Sequence, residues 1–296
     1  VKQLFDARLN GQKQGEVTQA WHDVRIHCIA KNKSPMSLAE WRPISLLAVH
    51  QKWYASCLAK LLDQAVEWPD FLLGFQEGRQ CMEISMAFRM AVSKSMTWDL
   101  PFFALKVDVR KAFDNIAHDV WCREAKKYGL DPRLILAFLM ELSNTTAHIS
   151  VLNCTSGTRG VPLRGGGKQG GRDTPKIWNF LMMAVLEPLI ADWDQRGLFW
   201  HTFDDKCKLN VQVWADDIIL YGASQRHVEI RFAMLVSRLR DFGLGVKPDS
   251  LEWMASSNSV GERSDIVVNA CDVPHTIRYV PVMRILGVFI DETAST

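Results

Sequence analysis

Two adjacent aspartates, Asp216 and Asp217, sit in the middle of the apolar run VWADDIILYG (213–222). Buried carboxylates without a partner are costly enough to be neutralised, paired or bound to a metal, so the run asks for a cation. The plainer reading is a hairpin turn, because Asp tolerates turn conformations and hydrogen-bonds its own backbone. Only a third carboxylate on a similar strand shifts that balance, and Asp108 in FFALKVDVRKAFD (102–114) is one. Brought beside Asp216 and Asp217, it would complete an oxygen-rich pocket suited to two Mg²⁺ ions. Such a metal pair activates an attacking 3′ hydroxyl and stabilises the leaving oxygen of an in-line phosphoryl transfer.

The elements that must position these groups are legible as patterns. Over 102–109 the even positions are Phe102, Ala104, Lys106 and Asp108, and the odd ones Phe103, Leu105, Val107 and Val109. That alternation predicts a strand with one mixed and one apolar face, Asp108 projecting from the mixed one. Residues 209–214 and 218–221 are expected to be the arms of the Asp-Asp hairpin. Helices are predicted over 118–128, closed by Gly129, and over 134–142, opened by Asp131 as N-cap and Pro132 at the first helical position. A strand about 147–152 follows. The pattern then gives a helix over 174–186 with Pro175 in its first turn, and an amphipathic helix over 226–242 stopped by Gly243. Residues 1–64 read as helical pieces around the loop KNKSPMSLAEWRPISLL, and a last strand pair is expected between 276–280 and 285–290. Helices and antiparallel strands mixed without regular βαβ alternation favour an α+β fold.

The chain has 296 residues, 48% hydrophobic and 23% charged, the make-up of an ordinary soluble protein with a sizeable core in one or two lobes. That composition excludes disorder for most of the chain. No apolar run approaches the ~18 residues of a membrane span, and the first residues lack the zones of a signal peptide. A start at Val1 rather than Met is expected of an excised piece. Seven cysteines are scattered without a CxxC pair, which argues against a zinc site and a disulfide framework and for a reducing compartment. The net charge of +2 is too small to announce a nucleic-acid binder. Locally, however, residues 154–182 set Arg159, Arg164, Lys168, Arg172 and Lys176 against one acid, Asp173, in a glycine-rich stretch. Such a segment could lie along phosphates, although a solvated basic loop is the commoner meaning of a short charge run. Gly165–Gly167 with Lys168 fails the phosphate-loop pattern, because Gln169 stands where Ser or Thr must hold Mg²⁺. His22, His27 and Cys28 lack metal-ligand spacing.

Seven segments, in order, carry a resemblance to a known family. ALKVDVRKAFD (104–114), GGKQGGRDTPKIWNFLM (166–182), WADDIILYG (214–222), FGLGVKPDS (242–250) and RILGVFID (284–291) resemble the successive palm motifs of reverse transcriptases. AEWRPISLL (39–47) and GFQEGRQCMEI (74–84) resemble fingers blocks of non-LTR (LINE-type) retrotransposon and group II intron enzymes. The resemblance implies a right-hand polymerase, with fingers over 1–101 and an antiparallel palm sheet with packed helices over 102–296. The palm would include the basic loop 159–173 and the hairpin 209–222, and the thumb is expected to be largely absent from this chain. Asp108, Asp216 and Asp217 take the metal-carboxylate positions, for two Mg²⁺ ions or Mn²⁺. Phe113 takes the place of the ring that stacks under the deoxyribose, beside Val109, although by residue type it is equally a core phenylalanine. Gln169 resembles the glutamine supporting the template–dNTP pair. Arg42 and Lys31 resemble cations that hold the triphosphate. Arg79, Lys168, Arg172 and Trp214 are expected along the nucleic acid.

The family pattern breaks in four places. Trp214 replaces Tyr or Phe before the Ala-Asp-Asp, and Gly171 and Arg172 replace the Asp-Pro after the glutamine-glycine. Ser250 stands where a lysine protonates the leaving pyrophosphate, with Lys247 as a displaced substitute, and Lys60 occupies a position where arginine is common. The implied function is RNA-directed DNA polymerisation: adding dNTPs to a DNA primer or target 3′ end on an RNA template. The alternative is a catalytically impaired, nucleic-acid-binding module of an eroded or domesticated retroelement. No membrane partner is implied, further domains of a longer polyprotein are, and the nucleus is the expected place of work in a eukaryote.

Overall fold

The structure, a computed structural model, describes residues 2–10, 21–37, 40–143, 145–151, 154–155, 160–201 and 208–294. Leu152, Arg159 and Cys207 lie outside the described residues. Two compact units are each assembled from two stretches: Val1–Glu67 with Lys111–Leu181, and Trp68–Arg110 with Met182–Thr296.

In the first unit, strand Asp23–Ala30 pairs antiparallel with Trp41–Leu46 and parallel with Thr145–Val151, which also takes Cys154–Thr155 and Val161–Leu163 as antiparallel partners. These first strands correct the expectation of helical pieces over 1–64. DVRIHCIA alternates apolar Val24, Ile26 and Cys28 with polar residues, a period of two that the neighbouring helices Lys2–Leu9 and Val49–Ala65 obscured. Helix His118–Lys127 ends at Gly129 in the left-handed region, φ +72°. Helix Pro132–Leu142 begins where the Asp131 carboxylate accepts the Arg133 amide.

The second unit is built on a six-stranded sheet in the order Ile266–Ala270, Val273–Tyr279, Glu252–Ala255, Phe103–Asp108, Asp217–Gly222 and Val211–Trp214. Its core gathers Phe88, Phe102, Tyr221 and Trp200, whose rings meet at centroid distances of 5.2–6.0 Å. Helix Cys81–Thr97 opens on a capping box between Gln80 and Glu83. Helix Gln225–Asp241 opens on the Ser224 side chain.

Two further expectations are corrected. The expected pair between 276–280 and 285–290 does not form. Val273–Tyr279 lies instead between Ile266–Ala270 and Glu252–Ala255, while Val282–Ile285 turns back on Val288–Asp291. Leu286 and Gly287, at φ +48° and +92°, form the two-residue turn whose twist suits a tight hairpin. The helix expected over 174–186 runs as Thr174–Gln195, through Pro188. Proline at 188 deprives the Ala184 carbonyl of its helical partner. Arg238 Nη2 supplies a replacement donor at 3.3 Å, which removes the reason to stop. Among the described residues, no helix is long and apolar enough to cross a membrane.

Candidate active site

Asp108 and Asp217 face each other across a ladder in the register Asp217 with Asp108, Ile218 with Val107 and Ile219 with Lys106. Val107 and Ile218 are fully buried, while Lys106, Asp108 and Asp217 keep 18, 22 and 31% of their side-chain surface. The apolar face thus fixes the register, and the register brings the two carboxylates together. Asp216 follows Ala215 in the two-residue turn closed by Trp214 and Asp217, and its carbonyl accepts the Val109 amide at 3.0 Å. Ala215 sits at φ +56°, and a Cβ on Gly74 would come within 2.6 Å of its amide nitrogen. The pair thus belongs to a turn, and the ladder sets Asp217 directly opposite Asp108.

Two lysines approach these acids. Lys247 Nζ is 3.4 Å from Asp108 Oδ2, and Lys106 Nζ is 3.9 Å from Asp217 Oδ1. The segment carrying Lys247 runs beside the end of the Asp108 strand, where the Lys247 amide donates to the Asp108 carbonyl and the Arg110 amide to that of Gly245. Ser250 donates its hydroxyl to the Lys247 carbonyl at 2.9 Å. Burial pushes the Asp217 carboxyl above its usual range; Lys106 pulls it back, and Asp216 and Asp108 push it up further.

Asp108 and Asp217, each approached by one ammonium group, with Asp216 next in the turn, offer the hard oxygen donors that suit a divalent cation. Among the described residues, no three His, Cys, Asp or Glu side chains converge into a ready cage. That does not count against Mg²⁺, which keeps several waters and is held by one or two carboxylates together with substrate phosphates. By donor type and by surplus charge, Asp108, Asp216 and Asp217 fit the ion.

Around this centre, Val109 has its side chain buried, 1% exposed. Trp214 is half-buried and lines, with Lys106 and Asp217, a small cleft floored by Ile219 and Ile285. Arg79 is engaged by Asp70 at 3.1 Å and by Glu83 at 2.9 Å.

The first unit gathers another set of the singled-out residues. Phe113 is half-buried, edge-on to Trp178 at 6.0 Å, and its carbonyl accepts the Gly167 amide at 2.7 Å. Gln169 Nε2 donates to Asp114 Oδ1 at 2.8 Å, and its carbonyl accepts the Ser45 amide at 2.7 Å. The KAFD turn, the KQGG loop and the strand Trp41–Leu46 are thereby tied together. Arg42 projects exposed from that strand, Lys31 is exposed just after its partner strand, and Arg172 and Lys60 are exposed. Lys168 is a correction. Expected along phosphates, it is 5% exposed and lies 3.9 Å from Glu141, because its ammonium finds counter-charge inside the unit. Sequence reasoning also passed over Arg8 and Glu141, which pair in the interior. The available signal was Glu141 itself, an acid on the same helical stripe as Leu134 and Phe138.

The sequence profile of a family described as reverse transcriptase (RNA-dependent DNA polymerase) matches residues 29–287. A Pol polyprotein from the type-1 retrotransposable element R2 of Popillia japonica is 28% identical over 83% of this chain and 34% of its own length. One from the type-2 element R2DM of Drosophila melanogaster is 21% identical over 77% of this chain and 21% of its own. The chain thus spans about a third or less of these relatives. Among solved structures, apo telomerase from Candida tropicalis, truncated from its C-terminal domain, superposes with a TM-score of 0.62 at 12% identity, over 93% of this chain and 54% of that one. Telomerase from Candida albicans, in complex with a fragment of telomeric RNA, gives 0.61 at 10% identity, over 99% and 50%. These neighbours show the right-hand polymerase fold, and the profile match across most of the chain shows its lineage: it belongs to the reverse transcriptase (RNA-dependent DNA polymerase) family.

Proposed function

We propose that this chain is the fingers and palm of an RNA-directed DNA polymerase that adds dNTPs to a DNA 3′ end on an RNA template. The fingers of this reading draw mainly on the first unit and the palm on the second. The observation that carries it is the register of Asp217 against Asp108, with Asp216 beside them in the turn. These three carboxylates would hold two Mg²⁺ ions. The chemistry such ions supply when bound is activation of the 3′ hydroxyl and charge stabilisation at the leaving oxygen. Lys247, at the Asp108 carboxylate, is the nearby acid that can hold a proton for the leaving pyrophosphate. Exposed Arg42 and Lys31 suit a multiply charged triphosphate. Phe113 would exclude a 2′ hydroxyl, and Gln169, braced on Asp114, would support the template–dNTP pair.

Primer extension on matched RNA and DNA templates, with and without Mg²⁺, tests this reading. Mg²⁺-dependent extension on RNA supports it, and its absence would sink it. The competing reading, a catalytically impaired nucleic-acid-binding module, has one observation on its side: Ser250 in the lysine position serves the Lys247 carbonyl. Template binding without extension would select it. The further domains, the target DNA and work in the nucleus belong to this proposal as its wider setting.

A further inference from the structure

Four charged side chains are buried together in the first unit, and no step of the proposed reaction uses them. Arg8, from helix Lys2–Leu9, sets Nε 2.8 Å and Nη2 2.7 Å from Glu141 Oε1, and its guanidinium lies 4.8 Å from the Trp21 ring centre. Glu141 Oε2 accepts from Gln51 at 3.3 Å and faces Lys168 Nζ at 3.9 Å. Arg8, Glu141, Lys168 and Asp173 are 2, 1, 5 and 2% exposed. Burial drives the Lys168 pKa down, and Glu141 and Asp173 push it back up. Buried ion groups of this kind return little net stability, and their best-attested use is to fix one arrangement over others.

What this group fixes is the loop that carries Gln169. Lys168 enters the interior while the next side chain, Gln169, turns outward to Asp114. The Gly171 amide closes on the Lys168 carbonyl at 2.9 Å. Gly170, at φ +114°, passes so near the Ser45 carbonyl that a Cβ would stand 2.8 Å from it. With the backbone this confined, the place of the Lys168 ammonium sets the place of the Gln169 amide.

We propose that the chain of charges Arg8–Glu141–Lys168 is a positioning device for Gln169, so that Lys168 and Glu141 determine how tightly the incoming nucleotide is held without touching it. The role assigned to Gln169 rests on the polymerase reading above. Lys168→Met leaves the Arg8–Glu141 pair intact and is the variant expected to fold; Glu141→Gln acts on Lys168 from its other side.

Both variants are expected to raise KM for dNTP by about tenfold, or about 1.4 kcal/mol, with kcat changed much less. Both should also speed amide exchange at Ser45 and Gly171. The slope of log affinity for primer–template against log salt stays at the parental value. A KM unchanged while melting temperature falls would overturn the proposal, since loss of folded enzyme lowers kcat and not KM. A slope reduced by about 0.7 to 0.9 in Lys168→Met would also overturn it, by showing that Lys168 binds a phosphate directly. If the parent extends no primer, the polymerase reading fails on its own. Amide exchange then still decides about the loop: parental protection at Ser45 and Gly171 in both variants would remove the device.

Discussion

Replacing Phe113 with valine keeps a β-carbon and two methyls and removes the ring that stands edge-on to Trp178 at 6.0 Å. The ring is half-buried, so the stability loss is smaller than that of a fully buried phenylalanine cut to alanine. An edge-on aromatic pair contributes about 0.5–1.5 kcal/mol beyond its burial, which together with partial loss of apolar area gives about 1–2 kcal/mol. If the ring also excludes a 2′ hydroxyl, the same change admits ribonucleotides. The ratio of kcat/KM for rNTP over dNTP should then rise on the order of 10²-fold, about 2.7 kcal/mol, with dNTP use reduced less. The assay is primer extension with rNTP and dNTP measured separately on one purified variant, alongside its melting temperature. Unchanged sugar selectivity with a lowered melting temperature would refute the reasoning and leave Phe113 as packing for Trp178.

Three other outcomes are expected. Lys247→Met should slow the chemical step in single-turnover kinetics by about 10² or more without weakening template affinity, while Ser250→Lys leaves the rate unchanged; a faster Ser250→Lys enzyme would show that Lys247 does not serve. Gly74→Ala places a Cβ 2.6 Å from the Ala215 amide nitrogen, a backbone atom that cannot swing aside. It should cost about 1–3 kcal/mol in denaturant unfolding and slow extension, and parental stability would mean that the hairpin turn yields freely. Glu124, 3% exposed, is paired with Lys127 at 2.9 Å and Arg123 at 2.8 Å. Burial raises its carboxyl, but the two cations outweigh burial and leave its pKa below the usual range. Its contribution is therefore present above the unfolded value of about 4.3 and lost as pH falls through the lower folded value. Glu124→Gln should melt below the parent at neutral pH and converge with it in acid; a difference that persists unchanged in acid would assign the loss to packing.

The parts of the fold that could be read ahead are those whose cause is local. The alternation around Asp108, the Asp131–Pro132 helix start and the Gly129 and Gly243 stops each act within a few residues, and each appears in the structure. What escaped depends on distant partners. Arg238 relieves Pro188 from another helix. The strand Asp23–Ala30 finds its parallel partner in Thr145–Val151. Lys168 could be buried only because Glu141 and Arg8, themselves 133 residues apart, meet beside it. For the site, residue type and order mark the three aspartates, but the facing of Asp217 and Asp108 needs the ladder. No single strand runs over 285–290 because Leu286-Gly287, with positive φ at both residues, is a turn whose conformation the apolar pattern does not reveal.

The proposed nucleotide addition depends on Asp108 and the two aspartates of the adjoining hairpin. Asp108→Asn keeps the size and shape of a partly buried strand-end residue and removes one charge, so fold and template affinity should stay near parental. Extension of a DNA primer on an RNA template with Mg²⁺ is the direct measurement. Asp108→Asn should lose at least ~10³-fold of the parental rate, with Asp216→Asn alike and Asp217→Asn somewhat more tolerant. Near-parental extension by Asp108→Asn would contradict that dependence.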